Sequence, residues 1–230
     1  MKISHFFLVQ QLSPIQDEKK ISLLELIQDG GVGGQVIIVI LFCLLIISIF
    51  IYIERLFAIK SAQKIDNDFM EQIKHYVKQG ELIKAEELCL KENAPVARLI
   101  GKGISRIGRP LEDINTTIEN AGRLEVYKLE KNVSVLATIS GVGPMIGFLG
   151  TVIGMILSIF EISNAGGNID MKLLSDGLYT AMTTTVAGLI VGISGYILYN
   201  HLVVKTNKVV YQMESTSFEF LDLLNEPISE

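Results

Sequence analysis

Apolar residues fill three long stretches of the chain, and in the polar segments between them they recur with helical spacing. Val36 to Ile53, VIIVILFCLLIISIFIYI, is apolar throughout apart from Ser48 and Tyr52. A bilayer crossing takes ~20 apolar residues, so this stretch predicts a spanning helix. Its side chains are bulky and branched, which predicts an outer, lipid-facing position. A second stretch, Leu136 to Phe160, lies within a segment that carries no charge between Lys131 and Glu161. A third runs from Gly177 to Val204, charge-free until Lys205 and interrupted by His201 near one end. In the second stretch Gly143, Gly147, Gly150, Gly154 and Ser158 recur at steps of three and four, so one helix face is nearly bare backbone, with Thr151 among the glycines. In the third, Thr185, Gly188, Gly192, Gly195 and Tyr199 share a face in the same way. Apolar burial gives helices little reason to associate in lipid, so such small-residue stripes mark where two of them pack closely.

The polar segments read as helices too. Ile65, Phe69, Ile73, Tyr76 and Val77 follow helical period, Gly80 is a C-terminal stop, and a second helix carries Leu82, Ala85, Leu88 and Cys89. Gly108 and Pro110 then break the chain. From about Leu111 no proline or other strong stop intervenes, which predicts one helix running on to Phe160. At ~1.5 Å per residue it would reach roughly 75 Å, well beyond the ~30 Å bilayer core. The third span likewise continues through VVYQMESTSFEFLDLL, so the two long helices can pair outside the membrane. Near the start, Ser22 and Glu25 fit a capping box closed by Gly30 and Gly31, predicting a short amphipathic helix on the membrane surface. The apolar run in Met1 to Leu12 is too brief for a signal peptide.

The expected organisation is an N-terminal region over 1–34, a first span over 35–57 and a helical loop over 58–130. A second span over 131–161, a short connection over 162–176, a third span over 177–203 and a C-terminal helix and tail over 204–230 complete it. This is an all-α integral membrane protein with three transmembrane helices, two of them extended into a cytoplasmic helical bundle.

Composition agrees with that class: of 230 residues 49% are hydrophobic and 20% charged, with a mean hydropathy of +0.42. Of the chain's 20 Lys and Arg, 14 fall between Arg55 and Lys131. The positive-inside bias then puts the large loop and the C-terminus in the cytoplasm and the N-terminus on the far side. Glu54 and Arg55 at the end of the first span read as a snorkelling interfacial pair. Arg98, Lys102, Arg106 and Arg109 form a helical stripe that is either solvated or set against lipid headgroups or a partner. The net charge is only -5 and acids are mixed with the bases, so no nucleic-acid surface emerges. Cys43 and Cys89 fall in different environments, giving neither a disulfide framework nor a metal-binding spacing. No cofactor is implied, and no cluster of His, Asp or Cys near the spans suggests an enzyme.

The chemistry on offer is narrow. Neither glycine-rich span contains Asp, Glu, Lys or Arg. Thr151, Thr180, Thr183, Thr184 and Thr185 can line a water-filled path, but hydroxyls do not titrate there. If ions cross, another chain must supply the charged group. The competing reading is a structural membrane scaffold in which the glycine faces only hold helices together.

The runs LATISGVGPMIGFLGTVIGM and AMTTTVAGLIVGISGYILYN resemble the second and third transmembrane helices of the MotA/TolQ/ExbB ion-channel family. Three spans with the N-terminus outside match its ExbB and TolQ branch, whereas MotA-type members have four. The resemblance implies a homo-oligomeric ring, a pentamer in the family, in the membrane lipids of the bacterial inner membrane. Inside the ring would lie the single membrane helix of an ExbD or TolR type partner, whose aspartate carries the ion, and the complex would drive a TonB or TolA type protein. By motif, Thr151 of GFLGT and Thr185 of TTTVAGL match the family's pore threonines; their alternative is a back-bond to the preceding turn. Pro144 matches the proline of the second helix and frees the carbonyl of Ser140. The resemblance implies H+ as the ion; ExbB members usually carry a glutamate where this chain has Thr180, so proton delivery would take another route here, and the extra hydroxyls of Thr183 and Thr184 leave Na+ open. ExbB and TolQ share these motifs, and the second helix leans toward ExbB.

Overall fold

The computed structural model describes residues 31–65, 68–164 and 171–225. The short helix expected around Ser22 lies outside them. Seven helices follow in order: α1 Gly31–Ala62, α2 Phe69–Lys78, α3 Leu82–Lys91, α4 Pro95–Ile104, α5 Leu111–Glu130, α6 Val133–Asn164 and α7 Met171–Asn225. No strand occurs among the described residues. Three helices are long and apolar enough to cross a membrane, over Gly33–Ala62, Val133–Asn164 and Leu174–Asn225.

The most extensive packing is between α6 and α7, and α1 lies against both. Helix α1 buries Ile37, Leu41, Ser48, Ile51, Arg55, Ile59 and Ala62, a single stripe at steps of three, four and seven. Its other faces expose Phe42, Ile46 and Phe50, and α6 likewise exposes Phe148, Ile156 and Phe160. At 55 residues α7 is about 80 Å long, so half of it projects from the spans and packs on α4 and α5. One core runs out of the membrane region along it, through Leu136 and Leu202 to Ile100, Val209, Ile73 and Phe220, all fully buried or nearly so.

The turn residues act as the sequence suggests. Gly80 between α2 and α3 and Gly108 before α5 take positive φ values of 74° and 95°, which glycine adopts without steric cost. Cys89 on α3 is buried, and burial pushes its thiol up to about 12.

Three expectations are corrected. The unbroken helix from Leu111 to Phe160 is in fact two, α5 and α6, separated at Lys131 and Asn132. Asn132 has φ 63°, a left-handed conformation that asparagine tolerates better than most residues, so the chain turns without glycine or proline. Arg55 stabilises the joint: its Nη1 donates to the Lys128 carbonyl at 3.2 Å, one of the acceptors orphaned at the end of α5, and its Nη2 pairs with Glu54. At 8% exposure Arg55 is therefore a buried capping residue and not a snorkelling one. The basic stripe is also interrupted, because α4 ends at Ile104, before Arg106 and Arg109. Arg98 stays exposed and pairs through Nη2 with Oε2 of the buried Glu125 at 2.6 Å, and Lys128 holds Oε1 of the same carboxylate at 2.7 Å. Burial alone would raise the Glu125 carboxyl, but Arg98 and Lys128 outweigh it and hold it below the usual carboxylate range.

Candidate functional site

Where α6 and α7 meet, backbone touches backbone. A Cβ added at Gly188 would lie 2.7 Å from both the Gly143 carbonyl oxygen and the Gly147 Cα, and one at Gly147 would lie 2.8 Å from the Thr184 carbonyl oxygen. At Gly143 it would meet Gly188 O and Gly192 N at 3.2 Å. At Gly154 it would meet Ala181 at 3.2 Å. At Gly192 it would strike the Pro144 ring at 2.5 Å and Ser140 O at 2.9 Å. Pro144 thus stands inside an uninterrupted α6, its ring occupying the space that Gly192 leaves. The two glycine stripes face each other, which gives the close van der Waals contact that association in lipid relies on.

Each threonine takes a distinct place along this seam. Thr151 and Thr185, half-buried, bring their hydroxyls together from opposite helices. Thr151 Oγ1 also reaches the Ala181 carbonyl of α7 at 3.1 Å, and Thr185 Oγ1 the Gly147 carbonyl of α6 at 3.3 Å. Neither hydroxyl makes the intrahelical back-bond that was their alternative. Two hydroxyls supply two protons to three contacts, so the pair can hold its protons in more than one order.

The other hydroxyls behave differently. Thr184 is fully buried and donates to the Ala181 carbonyl of its own helix at 2.8 Å. The space it fills is the one Gly150 vacates, since a Cβ there would lie 2.6 Å from Thr184 Cβ. Thr184, expected on the ion path, thus sits enclosed between α6 and α7. Thr180 back-bonds to Asp176 O at 2.9 Å and turns its methyl toward α1, where a Cβ on Gly34 would come within 2.6 Å of it. It therefore stands on the α1 side of α7, away from the Thr151 and Thr185 bridge. Thr183 back-bonds to Tyr179 O.

Sequence reasoning did not single out Ser140 or Thr206. Ser140 faces Gly195, and its hydroxyl donates to Ala137 O at 2.7 Å. Its spacing of eleven from Thr151 would have found it. No group of three or more His, Cys, Asp or Glu among the described residues could hold a metal.

Three apolar helices, two of them joined by a glycine seam that carries hydroxyls and no acid, define a multi-pass membrane protein with a polar line inside its spans. Residues 91–215, more than half of the chain, match the MotA/TolQ/ExbB proton channel family, and the chain belongs to it. It is similar to a putative biopolymer transport protein ExbB homolog of Methanothermobacter thermautotrophicus, 27% identical over 84% of this chain and 67% of that protein. The biopolymer transport protein ExbB of Aquifex aeolicus is 35% identical over 47% of this chain and 74% of its own length. The Tol-Pal system protein TolQ of Haemophilus influenzae is 30% identical over 44% of each.

Proposed function

We propose that the chain is an ExbB-like channel and stator subunit of an ion-driven motor in the bacterial inner membrane. Its N-terminus is periplasmic and its helical bundle cytoplasmic. Copies of it, five by family resemblance, form a ring around the membrane helix of an ExbD-type partner, and the complex energises a TonB-type protein for outer-membrane transport. The observation that carries this reading is the Thr151 and Thr185 bridge, which sets hydroxyls on a glycine seam between two spans that own no carboxylate.

A hydroxyl pair can pass hydrogen bonds to water or to a neighbouring acid, yet it cannot bind and release a proton near neutral pH. The partner's aspartate is the group that does so. An ionised carboxylate in the bilayer interior is costly, and neutralising it lowers the cost of moving it past the threonine wall. The driving energy is about 2.3 kcal/mol per charge per 100 mV. The ion is H+, with Na+ compatible with the same hydroxyls. A TolQ-like role in envelope integrity is the second reading, favoured by the likeness to the Haemophilus TolQ; co-purification of the single-span partner separates the two.

The test of the channel reading is the pair Thr151→Val and Thr185→Val, which keep volume and remove the hydroxyls. A channel loses ion flux and energy-dependent transport, whereas a non-conducting scaffold tolerates both changes. Full transport in both variants would defeat the proposal.

A further inference from the structure

The joint between α5 and α6 opens a cavity of about 560 Å³ against α7. Its polar lining comes from Glu130, Asn132 and Ser134 on one side and Tyr199, Thr206 and Asn207 on the other. Lys131 completes the rim, so the walls carry one charge of each sign. The last carbonyls of α5 and the first amides of α6 have no partner within their own helices. Arg55 takes the Lys128 carbonyl. Side-chain donors and acceptors thus share one space with Val133, Val135 and Val203, a lining polar enough to hold water.

Thr206 distinguishes this cavity from an ordinary surface cleft. It is 3% exposed, and its Oγ1 is buried without any hydrogen-bond partner. On the same helix Thr180, Thr183 and Thr184 all bond back to a carbonyl three or four residues earlier. Thr206 does not, and a buried hydroxyl left unpaired is unfavourable unless water or an ion meets it. Its position along α7 is also specific. Tyr199, Val203, Thr206 and Asn207 follow Thr185 by 14, 18, 21 and 22 residues, which at about 100° per residue places all of them within roughly 60° of the Thr185 face. The cavity therefore lies at the bundle end of the same line of α7 that carries the hydroxyl bridge.

We propose that this cavity is a hydrated vestibule through which the translocated monovalent cation passes between the bundle-side mouth of the channel and the aqueous phase. Thr206 holds water at its inner wall. The break at Lys131 and Asn132 lies in the cavity wall, so the joint between α5 and α6 shapes the vestibule. This rests on the channel reading above.

The experiment uses the whole chain co-expressed with its single-span partner and reconstituted in liposomes, with flux followed by a trapped pH dye and, in a second arm, under a Na+ gradient. Thr206→Val keeps the shape and removes the hydroxyl; Thr206→Ser keeps the hydroxyl and removes a methyl. The expected result is a severalfold loss of flux for Thr206→Val and near-normal flux for Thr206→Ser. Full flux in Thr206→Val while Thr151→Val is inactive overturns the vestibule and leaves the channel reading standing. Full flux in Thr206→Val, Thr151→Val and Thr185→Val together overturns the channel reading itself. Equal loss in both Thr206 variants assigns the residue to packing and also overturns the vestibule. A readout independent of flux is the reaction of Thr206→Cys with a small charged methanethiosulfonate from the bundle side, in a background with Cys43 and Cys89 replaced by alanine. It should react many times faster than Thr184→Cys, which is enclosed against Gly150, and equal rates would refute a hydrated wall at Thr206.

Discussion

Replacing Gly188 by alanine tests the seam at its tightest point. The new Cβ would lie 2.7 Å from Gly143 O and from Gly147 Cα, where ordinary contact begins at 3.4 Å, so α6 and α7 must part locally by about 0.7 Å. Neither obstacle is a side chain that could rotate away. Separation by that amount would stretch the Thr151 contact to Ala181 O from 3.1 Å to about 3.8 Å and that of Thr185 to Gly147 O from 3.3 Å to about 4.0 Å, both beyond hydrogen-bonding range. Overpacking costs ~1–3 kcal/mol, and the lost hydroxyl bonds add ~1 kcal/mol. Alanine in a helix interior returns ~0.5–1 kcal/mol. The net expectation is a loss of ~1–3 kcal/mol. Gly141→Ala is the matched control: nothing lies within 4 Å of a Cβ there, so the same propensity gain comes without a clash. The two variants should differ by ~2–4 kcal/mol, or roughly 4–16 °C in melting temperature followed by far-UV circular dichroism in detergent. If Gly188→Ala melted with or above Gly141→Ala, the close approach of α6 and α7 would be wrong.

Three further outcomes follow from the joint and the bundle. Asn132→Val, with a β-branched residue forced to φ 63°, should cost about 1–2 kcal/mol in thermal unfolding, whereas Asn132→Gly should melt close to the unsubstituted chain. The Glu125 carboxyl is lowered in the folded state, so its pairing with Arg98 and Lys128 contributes stability above the unfolded value of about 4.3 and loses it as pH falls through the folded value. Melts taken from neutral to acid pH should therefore show a smaller acid-side drop in Glu125→Gln, and an unchanged profile would contradict the pairing. Phe220 is fully buried where α7 crosses α4, and a Cβ on Gly103 would come within 2.7 Å of its ring. Phe220→Ala should cost about 3–5 kcal/mol and raise the protease sensitivity of α4 and the far end of α7.

Three spans and the glycine stripes were legible in the chain because each is a periodic or compositional property of one helix at a time. A long run of apolar residues reads as a span, and glycine at steps of three and four reads as a contact face, whatever lies opposite. The motif pair around Thr151 and Thr185 carried the family as well. The tertiary structure decided what each hydroxyl does, because a threonine bonds to its own helix or across to another according to what stands opposite. Gly150 encloses Thr184, Gly34 draws Thr180 to the α1 side, and only Thr151 and Thr185 meet. The joint at Asn132 was likewise invisible: no glycine or proline marks it, and Arg55, 73 residues upstream of Lys128, supplies the cap that makes ending α5 there favourable. A contact at that separation has no local signal, and Arg55 reads as an interfacial charge until the fold places it against the carbonyl it satisfies.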